Sequence, residues 1–291
     1  FQRDKIESVR DQCPDLGDVY VIGLGAIDTI IEYGRAVSDA EFLEREQTVK
    51  GSDLATIVYT SGSTGTPKGV ELTHANFVFI TYSGVNSMPD IAMKPNRRLL
   101  LFLPLAHVFA RYMQFFCFAG NVSLGLSSNL KTILADFKAF KPTFILAVPR
   151  IFEKIYNAAS QKAGAGFKGR VFADATQTAY DWSHAQQSGG SIPLALNAKH
   201  ALYNKLVYSS IMEVFGGHVE YAVSGGAPLD SSIAHFFNGV GLPLLEGYGM
   251  TETCAPSSVN PTEGYKIGTI GLPLQGVTMG VDEEGELCIK S

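Results

Sequence analysis

From residue 97 onward, short and wholly apolar runs alternate with helix-like segments, and this alternation narrows the fold more than any other feature of the chain. Runs at 99–103, 122–126, 143–148, 219–223 and 242–245 are separated by helical patterns around 130–139, from Arg150 onward, and at 231–238 behind the capping residue Asp230. A strand that is apolar on both sides must be covered on both faces, which is the situation of a parallel sheet between helix layers. The fold class read from the residues is therefore α/β, with layered, mostly parallel sheets and covering helices. Such sheets bind ligands at their carboxyl edge. The loops after 99–103, 143–148, 219–223 and 242–245 should emerge there together, the last strand being weakened by Pro243, which cannot donate to a ladder.

The remaining segments suggest how the chain divides. Residues 19–31 look like strand material, and 35–50 form an acidic, helical surface pattern. A β-branched run at 56–59 and a second apolar run from Val70 flank a glycine- and hydroxyl-rich loop, after which Thr73 caps a helix through Phe77, Phe79 and Ile80. Residues 151–216 read as a long helical insertion broken at Gly189, Gly190 and Pro193. Its stripe of Phe152, Ile155, Tyr156, Phe172, Trp182, Leu202, Leu206, Ile211, Met212 and Phe215 is assigned to packing. Beyond Pro261, alternation at Ile267, Ile270, Leu272, Val277, Met279 and Val281 and an acidic turn at 282–285 predict a small antiparallel unit. The expected division is 1–96, the end of a first α/β subdomain with the glycine-rich loop; 97–262, a second α/β subdomain carrying the helical stretch at 151–216; and 263–291, the start of an antiparallel β subdomain. Since the sequence opens without methionine and stops in strand-like residues, it reads as a fragment of a longer protein.

Composition excludes several classes. With 291 residues, 46% apolar and 18% charged, the chain describes an ordinary globular protein, and a net charge of −5 gives no reason to expect nucleic acid. No apolar run is long enough to span a bilayer. Cys13, Cys117, Cys254 and Cys288 are widely spaced, without a CxxC pair, and read as free thiols rather than a disulfide frame or zinc site. Gly23 and Gly25 hint at a dinucleotide fingerprint, but Asp28 stands where its third glycine belongs.

The loop at 60–69, TSGSTGTPKG, carries the chemistry. Its glycines let backbone N–H groups turn inward, Thr60, Ser61, Ser63 and Thr64 add donors, and Lys68 adds a mobile positive charge; together they suit a polyphosphate. It is not a Walker A loop, because Pro67 precedes the lysine and strand-like residues follow it. A second polar cluster, EGYGMTET at 246–253, reads as a loop in which Tyr248 offers a flat face for a base, Thr251 a phosphate donor and Glu252 a hard oxygen for Mg²⁺.

The loop at 60–69 resembles the phosphate signature of the AMP-forming acyl-adenylate ligases, and 248–252 resembles their YG-x-TE hallmark. Residues 225–229, GGAPL, resemble that superfamily's adenine-binding turn, and His107 in LPLAHVF resembles its histidine at the acyl pocket. Within the superfamily, PLAHVF, VPRIFEKIYN, the insertion at 151–216 and SGGAPL look most like long-chain fatty-acid–CoA ligases. The resemblance implies ATP, Mg²⁺ and coenzyme A as co-substrates and cofactor, and a fatty acid as substrate. It places the protein in the cytoplasm or peripheral to the inner face of a membrane, without fixing an oligomeric state. It assigns Lys68, Thr251, Glu252 and His107 to catalysis, with Glu252 on the metal. It assigns Thr60, Ser61, Gly62, Ser63, Thr64, Gly65, Lys68, Gly225, Gly226, Ala227, Pro228, Glu246, Gly247, Tyr248, Gly249, Met250 and Thr251 to the nucleotide. Val108 and Phe109 join His107 near the acyl chain.

Some features depart from the pattern. Arg111 stands where some relatives carry a tryptophan gate, and an ion pair is expected of it. The resemblance also implies a ribose-binding aspartate and a mobile C-terminal domain with a catalytic lysine, all beyond Ser291. Two other readings of the chain remain: a ligase that stops at the acyl adenylate, and a non-catalytic nucleotide-binding fragment. A kinase-type enzyme is a third, distinguished by ADP as its product.

Overall fold

The computed structural model describes residues 2–61 and 65–291, in two compact units, Phe1–Asp53 and Leu54–Ser291. The first unit holds helices α1 (Gln2–Glu7), α2 (Ala26–Gly34) and α3 (Asp39–Thr48), with single 3-10 turns at Arg10–Gln12 and Ile22–Leu24. The strand expected at 19–31 is thus a 3-10 turn and a helix. Gly25, at φ 83°, turns the chain into α2, whose apolar residues Ile27, Ile30 and Ile31 recur at helical rather than strand spacing. The helix expected at 35–50 is α3. Ser38 caps it by accepting from Glu41 N, while the Glu41 carboxylate accepts from Ser38 N, a reciprocal capping box.

The second unit opens with an antiparallel hairpin of β1 (Leu54–Thr60) and β2 (Lys68–Thr73), in which Thr60 faces Lys68. Thr73 then caps α4 (His74–Ser87) through Asn76 N, as its side chain and position predict. The chain continues through α5 (Pro89–Ala92), β3 (Arg97–Leu101), α6 (Val108–Ala119), β4 (Val122–Leu126), α7 (Ile133–Phe140) and β5 (Phe144–Ala147). Helices α8 (Pro149–Ala163), α9 (Phe167–Gln187), α10 (Leu194–Tyr203) and α11 (Ser209–Val214) form the insertion, with a π-helical turn at Asn204–Tyr208 and the expected break around Gly189 and Pro193. Then come β6 (Tyr221–Ser224), α12 (Ser231–Val240), β7 (Leu244–Met250), β8 (Ala255–Val259), β9 (Leu272–Pro273), β10 (Thr278–Val281) and β11 (Leu287–Lys290).

Seven strands form one sheet in the order β4-β3-β5-β6-β7-β8-β9. The first five are parallel, while β8 and β9 add on antiparallel; β10 and β11 make a separate hairpin. The parallel strands alternate their side chains between two cores. Leu99, Leu101, Phe144, Leu146, Val223 and Leu245 pack with Tyr112 and Phe116 of α6 and Ile80 of α4 on one face. Leu100, Phe102, Ile145, Ala147, Ala222 and Leu244 pack with Phe152, Phe172, Phe236 and Phe237 on the other. Strands buried on both faces read as continuous apolar runs, so the sequence pattern and the packing agree.

The insertion's packing stripe is confirmed for Phe152, Phe172, Ile211 and Phe215, which are buried, but Leu202 and Leu206 are exposed. Trp182 stacks on His200 with ring centroids 4.5 Å apart and donates to Asn197 Oδ1 at 3.0 Å. A buried polar network ties α9 to α12. Ser183 Oγ and His235 Nδ1 share a hydrogen bond of 2.9 Å, and Asn238 Nδ2 donates to Ser183 Oγ at 2.8 Å and to Gln186 Oε1 at 2.9 Å. The network reaches the segment after β8, where the Tyr265 hydroxyl donates to Asn238 Oδ1 and Ile267 N donates to Gln187 Oε1.

Candidate active site

The carboxyl ends of β5, β6 and β7 and the start of α6 surround one cavity of about 410 Å³. Its inner wall is apolar, built from Met88, Ile91, Tyr112, Met113, Phe116 and Phe144, and its mouth is lined by glycine backbone and polar groups. Ten of the residues singled out in the sequence line it: His107, Val108, Phe109, Gly225, Gly226, Gly247, Tyr248, Gly249, Met250 and Thr251.

Two glycine-containing segments shape the mouth. β6 ends at the buried Ser224, and the chain turns at Gly225 and Gly226, the latter at φ 81°. A Cβ on Gly225 would sit 3.2 Å from the Phe109 ring and 3.4 Å from the Gly247 carbonyl oxygen, so glycine there lets the turn lie close against α6 and β7. Ala227 and Pro228 continue the turn on the exposed side. Glu246 holds this turn in place, its Oε1 accepting from Leu229 N at 3.0 Å. Its own carbonyl accepts from Asn260 N at 2.9 Å. Asp230 then caps α12 through Ser232 N at 2.7 Å.

The segment expected as a loop at 246–253 is a strand as far as Met250. Its glycines make close pairing with β8 feasible, a bulge between Tyr248 and Gly249 re-aims the chain, and only 251–254 form the turn. A Cβ on Gly249 would lie 1.9 Å from the Ala255 carbonyl oxygen. Thr253 Oγ1 braces the turn, accepting from Met250 N at 3.0 Å, and Cys254 N donates to Thr251 O at 3.0 Å. Cys254 and Ala255 hold φ values of 57° and 94°, unusual for residues with side chains. Thr251 is half-buried at the cavity, and Glu252 beside it is exposed and has no ion-pair partner among the described residues. Cys254, under the same turn, is buried, which pushes its thiol up to about 12.

Lys68 lies exposed at the foot of the β1–β2 hairpin, opposite Thr60, with Ser61 and Gly65 in the connecting loop; Gly62, Ser63 and Thr64 fall outside the described residues. None of the described hairpin residues lines the cavity. Arg111 ties the hairpin to α6 and the segment before it: its Nη1 donates to Thr56 Oγ1 on β1 and its Nε donates to Leu105 O at 3.2 Å. The ion pair expected of Arg111 is not formed among the described residues; hydrogen bonds to neutral oxygens take its place. His107 sits just before α6, exposed, with its N–H on Pro104 O at 3.0 Å.

Sequence reasoning missed much of the apolar wall. Tyr112, Met113 and Phe116 follow the already named Val108 at a spacing that marks one face of a helix, which was a readable signal. Met88, Ile91 and Phe144 come from separate elements and carried none. The four cysteines are free, as their spacing predicts. No group of three or more His, Cys, Asp or Glu side chains that could hold a metal is found among the described residues. Glu252 suits instead a cation held chiefly by phosphate and water oxygens with one protein carboxylate, the usual manner of Mg²⁺.

A sequence-family description, "AMP-binding enzyme", matches residues 2–291. The chain belongs to that family. It is 42% identical over 268 residues to the long-chain-fatty-acid–CoA ligase FadD15 of Mycobacterium tuberculosis, a match covering 92% of this chain and 44% of the relative. The chain thus spans less than half the length of the curated relatives it resembles. Its fold is that of the anthranilate CoA ligase AuaEII, solved with anthranoyl-AMP, at a TM-score of 0.66 and 19% identity over 98% of this chain and 47% of that one. The o-succinylbenzoate CoA synthetase of Bacillus subtilis, solved with ATP and a magnesium ion, matches at a TM-score of 0.55 and 20% identity over 82% of this chain and 40% of that one. The α/β fold class expected from the alternating runs is thus the fold shared with these solved structures. Among the described residues, no helix is long and apolar enough to cross a membrane.

Proposed function

We propose that the complete polypeptide carrying this chain activates a long-chain fatty acid with ATP and transfers the acyl group to coenzyme A. A carboxylate oxygen attacks the α-phosphorus, the bond to the bridging oxygen breaks, and pyrophosphate leaves. The thiolate of coenzyme A then attacks the acyl carbon and AMP departs. No protein nucleophile is needed, so the chain's work is alignment and charge compensation. The observation that carries this reading is a cavity whose apolar interior opens onto the 225–226 turn, strand residues 247–250 and Thr251.

Each residue has a corresponding task. The apolar interior, with His107, Val108 and Phe109 at its entrance, takes the acyl chain. The main chain of 225–228 and the Tyr248 ring hold adenine, with 246–250 as the wall behind it. Thr251 donates to the α-phosphate, and Glu252 supplies one oxygen to Mg²⁺, which when bound neutralises charge on the phosphates. Residues 60–65 and Lys68 grip the outer phosphates. The 42% identity to a relative named as a long-chain-fatty-acid–CoA ligase supports the substrate class.

Carboxylate-dependent exchange of pyrophosphate into ATP, run from acetate to palmitate, tests the reading. Exchange should rise with chain length, AMP should be the nucleotide product, and coenzyme A should convert the product to a thioester. Lys68→Ala should lower the exchange rate by about 10²-fold, the scale of losing one transition-state contact. ADP as product, or full activity in Lys68→Ala, would overturn the reading; acyl-AMP that accumulates in the presence of coenzyme A would assign an adenylate-only ligase.

A further inference from the structure

Glycine inside a helix costs about 0.5–1 kcal/mol relative to alanine, and at Gly84, in the last turn of α4, the structure shows what that glycine makes room for. Gly84 is buried, and a Cβ on it would lie 1.9 Å from the Tyr112 hydroxyl oxygen, 3.1 Å from Tyr112 Cζ and 3.5 Å from Phe116 Cδ2. The missing side chain leaves a notch in α4 that receives the tip of the Tyr112 ring. The same ring lines the inner wall of the cavity, with Met88, Ile91 and Phe116, whereas Gly84 does not reach it. The Tyr112 hydroxyl is buried without a hydrogen-bond partner among the described residues, as is Thr81 Oγ1 three residues before Gly84 on the same helix. No hydrogen bond within the described residues fixes the ring, so its depth is set by how far it fits into the notch.

We propose that Gly84 is a positioning residue: by receiving the Tyr112 ring it sets the depth of the cavity, and with it the longest acyl chain the cavity admits. The inference rests on the adenylation reading above, and it places the chain-length limit on a residue that the acyl chain does not touch. Non-bonded carbon atoms settle about 3.5–4.0 Å apart, so a methyl group at 84 pushes the ring tip back by about 1.5 Å. Tyr112, Phe116 and their neighbours are close-packed in one core, and the open space beside the ring is the cavity. The ring therefore retreats into the room that the end of the acyl chain would fill. A shorter side chain at 112 does the opposite, leaving the notch empty and extending the cavity towards α4.

The experiment measures kcat/KM for carboxylate-dependent pyrophosphate exchange in the complete enzyme, with octanoate, palmitate and arachidate. In Gly84→Ala the palmitate-to-octanoate ratio should fall by about tenfold or more, the scale of losing room for one methylene. Combining Gly84→Ala with Tyr112→Phe removes the clashing oxygen and should recover most of that loss, the non-additivity expected of two groups in contact. Tyr112→Leu should move the limit the other way, raising the arachidate-to-palmitate ratio by about tenfold. A merely structural role for Gly84 would lower thermal stability and slow every chain length alike, with both ratios unchanged. Unchanged ratios in Gly84→Ala and Tyr112→Leu overturn the inference and leave adenylation standing. If Gly84→Ala does not fold, Tyr112→Leu decides alone. A wild-type enzyme without carboxylate-dependent pyrophosphate exchange overturns both.

Discussion

Glu246 shows how far a single residue's role can differ from the role its motif suggests. By position it belongs with the nucleotide-binding residues, yet its side chain is spent on Leu229 N, fastening the glycine turn to β7. That partner lies 17 residues away, across α12, and nothing local in the sequence announces it. Leu229 is 8% exposed, so Glu246→Ala strands a buried N–H, at a cost of about 1–3 kcal/mol in urea unfolding. It should also raise the KM for ATP by about tenfold, since a turn released by about 1.4 kcal/mol corresponds to that factor. Glu246→Gln keeps an acceptor oxygen and should stay within about 1 kcal/mol of the wild type. The place of His107, Tyr248 and Thr251 at the cavity was legible from sequence because they stand at or just beyond strand ends. Arg111's bonds were not, because both acceptors are oxygens without a charge signature.

Among the elements, those legible in the sequence were the ones whose periodicity and local chemistry agree. The apolar runs became β3 to β6, and Ser38, Thr73 and Asp230 became helix caps. Two segments misled. At 19–31 apolar residues are dense enough to suggest strand, but Gly25 supplies the left-handed turn that starts a helix. At 246–250 glycine and polar residues suggest a loop, while the tertiary partner β8 holds them extended. Tertiary pairing overrides local preference in this way wherever a strand passes a ligand site. Gly249→Ala tests how tight that pairing is. Its Cβ has 1.9 Å to the Ala255 carbonyl oxygen, in a turn already carrying two left-handed residues, so unfolding should show a loss of about 1–3 kcal/mol or more. Gly280→Ala on β10 meets nothing within 4 Å and should stay within about 0.5 kcal/mol.

At the scale of the whole molecule, the parallel sheet with two cores was readable in outline, whereas the polar tie between insertion and sheet was not, since its members are spread over 183–267. That tie makes stability depend on pH. Burial, together with the His184 ring stacked 3.7 Å away, holds His235 below its ordinary 6.5. The unfolded chain therefore takes up the proton first, and the stabilisation is full above about 6.5 and is lost as pH falls towards the folded value. Melting temperature should drop between pH 7.5 and pH 5.5, and His235→Asn should flatten that slope. Asp90 and Asp174 are held below their ordinary 3.8 by Lys94 and Lys199 and act only at lower pH. β7 has a consequence of its own. It starts among buried leucines and ends at the cavity mouth without an intervening hinge, so deleting one residue from it would swing the tyrosine ring to the opposite side of the sheet. The lining of this cavity can therefore change by exchange of side chains along that strand, whereas a change in the strand's length would dismantle the cavity wall.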